Sequence, residues 1–129
     1  MADGQTLYAA DLQLDALIAG PRYITVHTEA APTAANEQMG NGYARQVVAA
    51  DRWTKSTVAG FRRLANADLL NFPDPTGSGW PAGSLACWTD VPSNAGAELL
   101  WHVDRTATPG GSDATIPVGV FGYEIALSE

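Results

Sequence analysis

Cysteine is nearly absent from this chain of 129 residues: Cys87 is the only one, so no disulfide can form within the chain. It lies between Ala86 and Trp88 in an apolar run, the setting of a buried small hydrophobe. Histidine is equally scarce. His27 and His102 stand far apart in sequence, and neither is one helical turn from another strong metal ligand. Positive charge is short as well. Seven basic residues face fourteen acidic ones, a formal net charge of −7. Such a surface repels phosphate backbones and anionic lipid headgroups, which argues against nucleic-acid and membrane partners. No apolar run approaches the roughly 20 residues of a membrane-spanning helix. The opening residues lack the basic region and apolar stretch of a secretory signal, so the expected place of synthesis is a reducing cytoplasm.

Familiar catalytic patterns are missing too. There is no G-x-S-x-G elbow, and Ser78 in Thr76-Gly77-Ser78-Gly79-Trp80 has the flanks of a flexible loop. Gly40-Asn41-Gly42 begins like a dinucleotide fingerprint, but it leads into strand-like sequence and not into a helix. Asp11 and Asp15, one helical turn apart, read as a solvated face. No acidic run has the calcium-loop spacing. Glu29, Glu37, Glu98 and Glu124 could supply a carboxylate pair, but nothing in the sequence brings two together. If the chain carried chemistry, His27 and His102 would be its only ready bases. The expectation is a protein that is not an enzyme and needs no cofactor or metal.

What is present is a packed-core composition cut up by turn formers. Hydrophobic residues make up 46% of the chain, while 13 glycines and 8 prolines are spread along its whole length. Scattered breakers favour many short elements. The stretch from Asp3 to Ile18 has helical spacing, with Thr6 as a cap and Gly20-Pro21 as a stop. Arg22 to Thr28 is a β-branched strand with Tyr23, Thr25 and His27 on one side and Ile24 and Val26 on the other. Glu29 to Gly42 is a long loop, and Tyr43 to Trp53 resumes strand character. Two short strands flank a turn at Asn66-Ala67-Asp68. A second long loop follows from Asp74, then a hairpin turning at Pro92 to Gly96. Ile116 to Leu127 forms a closing strand with a bulge at Gly119 or Gly122. The predicted fold is all-β: an antiparallel, jelly-roll-like sandwich of seven or eight short strands (residues 21–129), preceded by a short helical segment (residues 1–20), in one domain.

Four tryptophans are available as a sugar platform. Trp53 closes a strand in this reading, and Trp88 and Trp101 lie in apolar strands, so core or subunit interface is their expected place. Trp80 is the one expected in an exposed loop, where it either contacts a ligand or packs its own loop down. Around Asn36-Glu37-Gln38-Met39-Gly40-Asn41-Gly42-Tyr43-Ala44-Arg45, the expectation is a loop-to-strand latch. Tyr43 opens a strand with its ring half in the core, and Arg45 pairs with Glu37 across the loop base.

The order of the short motifs carries a resemblance. Gly42-Tyr43-Ala44-Arg45, then Asn71-Phe72-Pro73 with Trp80, then Asn94-Ala95-Gly96 leading to Leu99-Leu100 make the chain similar to a family of small bacteriophage proteins of tail-fibre or minor structural type. The similarity spans roughly Tyr8 to Leu127. Ala97 departs from it where the turn usually has a second glycine. Ile116-Pro117-Val118-Gly119 replaces the usual Gly-Asp pair. The resemblance implies a virion component without catalytic residues, made in the host cytoplasm, contacting other virion proteins and its own copies. A carbohydrate-binding module recognising a host-surface glycan through Trp80 is the alternative.

Overall fold

The computed structural model describes residues 4–73 and 75–128. Asp3, where the expected helical stretch begins, and Asp74, at the start of the second long loop, lie outside them.

Helix α1 runs Leu7–Leu17. The Thr6 hydroxyl accepts the N–H of Ala9 at 3.2 Å, so the expected cap is in place. Arg22, just beyond the stop at Gly20-Pro21, donates to the carbonyls of Leu17 and Ala16. A guanidinium there satisfies orphan carbonyls and complements the negative end of the helix. The helix buries Ala10 and Leu14 on its own domain. Asp11 and Asp15 are not a free solvated face: Asp11 pairs with Arg62 at 2.8 Å and Asp15 with Lys55 at 2.5 Å, which pins the helix across the sheet beneath.

Nine strands follow among the described residues, one or two more than the sequence suggests. They are β1 (Arg22–His27), β2 (Gln46–Val48), β3 (Trp53–Val58), β4 (Phe61–Asn66), β5 (Leu70–Phe72), β6 (Gly83–Trp88), β7 (Leu99–Arg105), β8 (Ala114–Ile116) and β9 (Gly122–Ala126). They form a four-stranded sheet in the order β2-β1-β6-β7, a three-stranded sheet β3-β4-β9, and the pair β5-β8. All pairings between these strands are antiparallel. The fold is all-β and sandwich-like, with one N-terminal helix. Ile24, Val26, Leu85, Cys87 and Trp101 from the first sheet meet Trp53, Leu64 and Ile125 from the second in one core. Trp101 bridges the layers, its ring 5.4 Å from both Trp53 and Phe121.

The extra strands come from three local corrections. Val58 and Phe61 pair across a two-residue turn at Ala59-Gly60, where both residues have positive φ (49° and 86°). Trp53 therefore opens a strand instead of closing one. The expected turn at Asn66-Ala67-Asp68 separates β4 from β5, but these strands pair with other partners. The closing strand divides into β8 and β9. Gly119 has no bulge; it lies in a turn in which Val120 N–H donates to the carbonyl of Pro117. Asn66, 1% exposed, holds that turn. Its amide nitrogen donates to Pro117 O at 3.0 Å, and its amide oxygen accepts Phe121 N–H at 2.9 Å. Among the described residues the one register irregularity in a ladder is at Cys87/Trp88.

Candidate functional site

The loop from Glu29 to Gly42 does not wander. Its end runs beside β1, where Glu37 forms a bridge with His27 and the N–H of Gln38 donates to Val26 O at 2.8 Å. Tyr43 is not yet strand. Gly40, Asn41 and Gly42 all take positive φ, a turn that delays pairing until Gln46. The Tyr43 hydroxyl occupies the resulting gap. It accepts the N–H of Val26 at 3.2 Å and donates to Glu37 Oε2 at 2.6 Å. Arg45 closes the group with a fork: Nε lies 2.8 Å from Glu37 Oε2 and Nη2 lies 3.0 Å from Oε1. The expected Glu37–Arg45 pairing is present. Burial, and secondarily the Glu37 carboxylate, push the Tyr43 phenol up, so it stays protonated and donates.

Trp80 is not in an exposed position. It is 1% exposed. Its indole N–H donates to Asn41 O at 3.2 Å, and the Asn41 side chain donates back to Gly79 O at 3.0 Å. The ring meets Tyr43 edge-on at 5.8 Å and Phe72 at 6.4 Å. Packing its own loop down, the second of the two expected roles, is the observed one. Tyr43, from one short motif, and Phe72 and Trp80, from another, join in a single aromatic cluster. Gly79 is required there, since a Cβ would stand 2.2 Å from Thr108 O.

Trp88 and Trp101 are buried but not at this cluster. Trp101 is core. Trp88 packs 5.9 Å from the His27 ring, on the other face of the four-stranded sheet. With it comes a network that sequence reasoning missed. Thr25 Oγ1 lies 2.6 Å from His27 Nε2, and His27 Nδ1 lies 2.8 Å from Asn36 Oδ1. The Trp88 indole, which can only donate, points at the same Nε2 at 3.4 Å. Nε2 is therefore the acceptor and Nδ1 carries the proton to Asn36. Burial holds His27 below its ordinary pKa, in the neutral form this pattern needs. The Thr25–His27–Asn36 chain has the connectivity of a nucleophile, base and orienter. Thr25 and His27 are both 0% exposed, however, so no substrate can reach the hydroxyl in this conformation. Asn36 in turn accepts Thr33 N–H and donates to Ala31 O, tying the loop over the imidazole. The alternation of Thr25 and His27 on one strand face was the available signal. Asn36 arrives through the loop and gave none.

Of the other reactive groups, Cys87 is closed off and His102 is not. Cys87 is buried, and its thiol is pushed up to about 12 by that burial. His102 is exposed and lies on the same sheet face as Thr25, two strands away across Ala86. Among the described residues no group of three or more His, Cys, Asp or Glu side chains could hold a metal ion, and no helix is long and apolar enough to cross a membrane. All seven basic side chains are used internally: five in ion pairs, with Arg22 and Arg105 on backbone carbonyls. Beside the latch lies a shallow cleft of about 260 Å³ lined by Glu37, Gln38, Met39, Gly40, Tyr43, Ala44 and Arg45. The groups gathered here hold two loops to the edge of a sheet. Compared with known protein families, curated proteins and solved structures, the chain matches none of them.

Proposed function

We propose that this protein is a non-enzymatic structural component of a bacteriophage particle, acting through interfaces with other virion proteins and with further copies of itself. The observation that carries the reading is the convergence of the resembling motifs. Tyr43 from one fragment of that similarity and Phe72 with Trp80 from another pack together and lock the two long loops. Fragments that matter only as a set are expected when they specify a scaffold.

Three further features support it. The side chains best suited to chemistry, Thr25, His27 and Cys87, are sealed in the interior. Large apolar side chains stand outside, with Tyr8 at 75%, Leu12 at 54% and Met39 at 81% exposed, as contact points for neighbours. The acidic surface fits basic or neutral protein partners better than nucleic acid or anionic lipid. The glycan-binding alternative loses its main support, because all four tryptophans are at most 8% exposed and offer no ring face to a sugar.

Cross-linking mass spectrometry on purified particles of an encoding phage tests the proposal. Cross-links from this chain to other virion proteins are expected. A chain that cross-links only to host enzymes, or to nothing in the particle, would sink it.

A further inference from the structure

Strand β7 is the longest among the described residues, with seven residues, and it lies at the edge of the four-stranded sheet. Which of its backbone groups face outward follows from the ladder. Val26 bonds away from β6, through Tyr43 Oη and Gln38 N, so the odd-numbered residues of β1 face β6. Thr25 pairs with Ala86 and His27 with Ser84, so Leu85 and Cys87 turn toward β7. They meet Val103 and Trp101. His102 and Asp104 therefore direct their N–H and C=O groups outward, and among the described residues these have no backbone partner. Their side chains share one face and are exposed.

Natural sheets guard such edges with lysine, proline or short strands. The others here are guarded. β3 carries Lys55 at its centre, β2, β5 and β8 have three residues each, and Gln5 covers the end of β9. β7, Leu99-Leu100-Trp101-His102-Val103-Asp104-Arg105, has no proline, lysine or glycine.

We infer that the β7 edge pairs antiparallel with β7 of a second copy, joining two four-stranded sheets into one. Outward-facing residues must meet outward-facing residues, so registers are two residues apart. A two-fold axis at His102 sets two imidazoles opposite each other and Leu100 against an aspartate. An axis at Val103 sets His102 opposite Asp104 of the second copy, twice by symmetry. Charge complementarity selects the second register. Each of its two His–Asp pairs also exchanges a pair of backbone hydrogen bonds. The inference gives the self-association in the preceding reading a definite surface and rests on that part of it.

Sedimentation equilibrium of the full chain from roughly 1 to 100 μM, a span that brackets micromolar affinities, tests it. A reversible dimer is expected. His102→Pro keeps every bond to β6, because this N–H faces outward, and should leave a folded monomer. His102→Asp and Asp104→Lys should each weaken the dimer by about tenfold, since each acts at two symmetric pairs. The double variant, with the acid at 102 and a cation at 104, should restore it. Should His102→Pro fail to fold, the charge series decides alone. A wild-type monomer throughout, a dimer indifferent to folded His102→Pro, or a double variant as weak as its parents would each overturn the inference. Dimerisation in solution with absence from particles would overturn the virion proposal alone. Incorporation into particles by a chain that never pairs in solution would overturn this inference alone.

Discussion

The hydroxyl of Tyr43 stands 2.6 Å from Glu37 Oε2 while accepting the backbone N–H of Val26 at 3.2 Å. One oxygen thus fills a missing rung of the β1 ladder and anchors a carboxylate that is itself clamped by Arg45. Tyr43→Phe keeps the ring's contacts with Phe72 and Trp80 but leaves the Val26 N–H without this partner. A loss of about 1–3 kcal/mol in denaturant unfolding is expected. Unchanged stability would mean water replaces the hydroxyl without penalty.

The His27 network makes stability depend on pH. Burial lowers the folded-state pKa of His27 below its ordinary 6.5. The unfolded chain therefore binds more protons than the folded one between the folded value and 6.5. Stability should be level above that range and fall as the pH drops through it. Thermal melts from pH 8 to about 5 read this directly, since an unperturbed histidine titrates in the middle of that range. His27→Asn should be less stable at neutral pH and lose that slope. His102→Gln, in an exposed residue, should retain it. A slope that survives His27→Asn would assign the effect to other groups.

At Ala59 the backbone holds a left-handed conformation, φ 49°, that an alanine side chain disfavours by roughly 1–2 kcal/mol. Ala59-Gly60 has the φ signs of a mirror-image hairpin turn, for which asparagine is the preferred first residue. Ala59→Asn should stabilise the protein by about 0.5–1 kcal/mol and Ala59→Val should destabilise it. The two melting temperatures should move in opposite directions from wild type.

Trp80 is enclosed by both long loops. Trp80→Ala should cost about 3–5 kcal/mol through the cavity it leaves, and Trp80→Phe clearly less. Denaturation of the two variants checks this. A Trp80→Ala protein as stable as wild type would show that the loop does not depend on the ring.

How much of this was legible depends on whether the deciding signal is local. Thr6, the helical spacing and Gly20-Pro21 define α1 in sequence, and the β-branched run defines β1. The Glu37–Arg45 pair could be anticipated because both residues flank one short glycine-rich turn. Ala59-Gly60 could not, since alanine is a weak marker for a turn needing positive φ. The split between β8 and β9 depends on Asn66, more than 50 positions away in sequence. Trp80 reads as exposed because glycines surround it. Gly79 instead lets the backbone approach Thr108 closely enough to bury the ring.

The central claim, that this chain is a structural part of a phage particle, is tested most directly by quantitative mass spectrometry of gradient-purified particles from an encoding phage. The account predicts that the chain co-purifies with intact particles at a fixed, multi-copy ratio to the other virion proteins. Particles that are complete and infectious without it would contradict the claim.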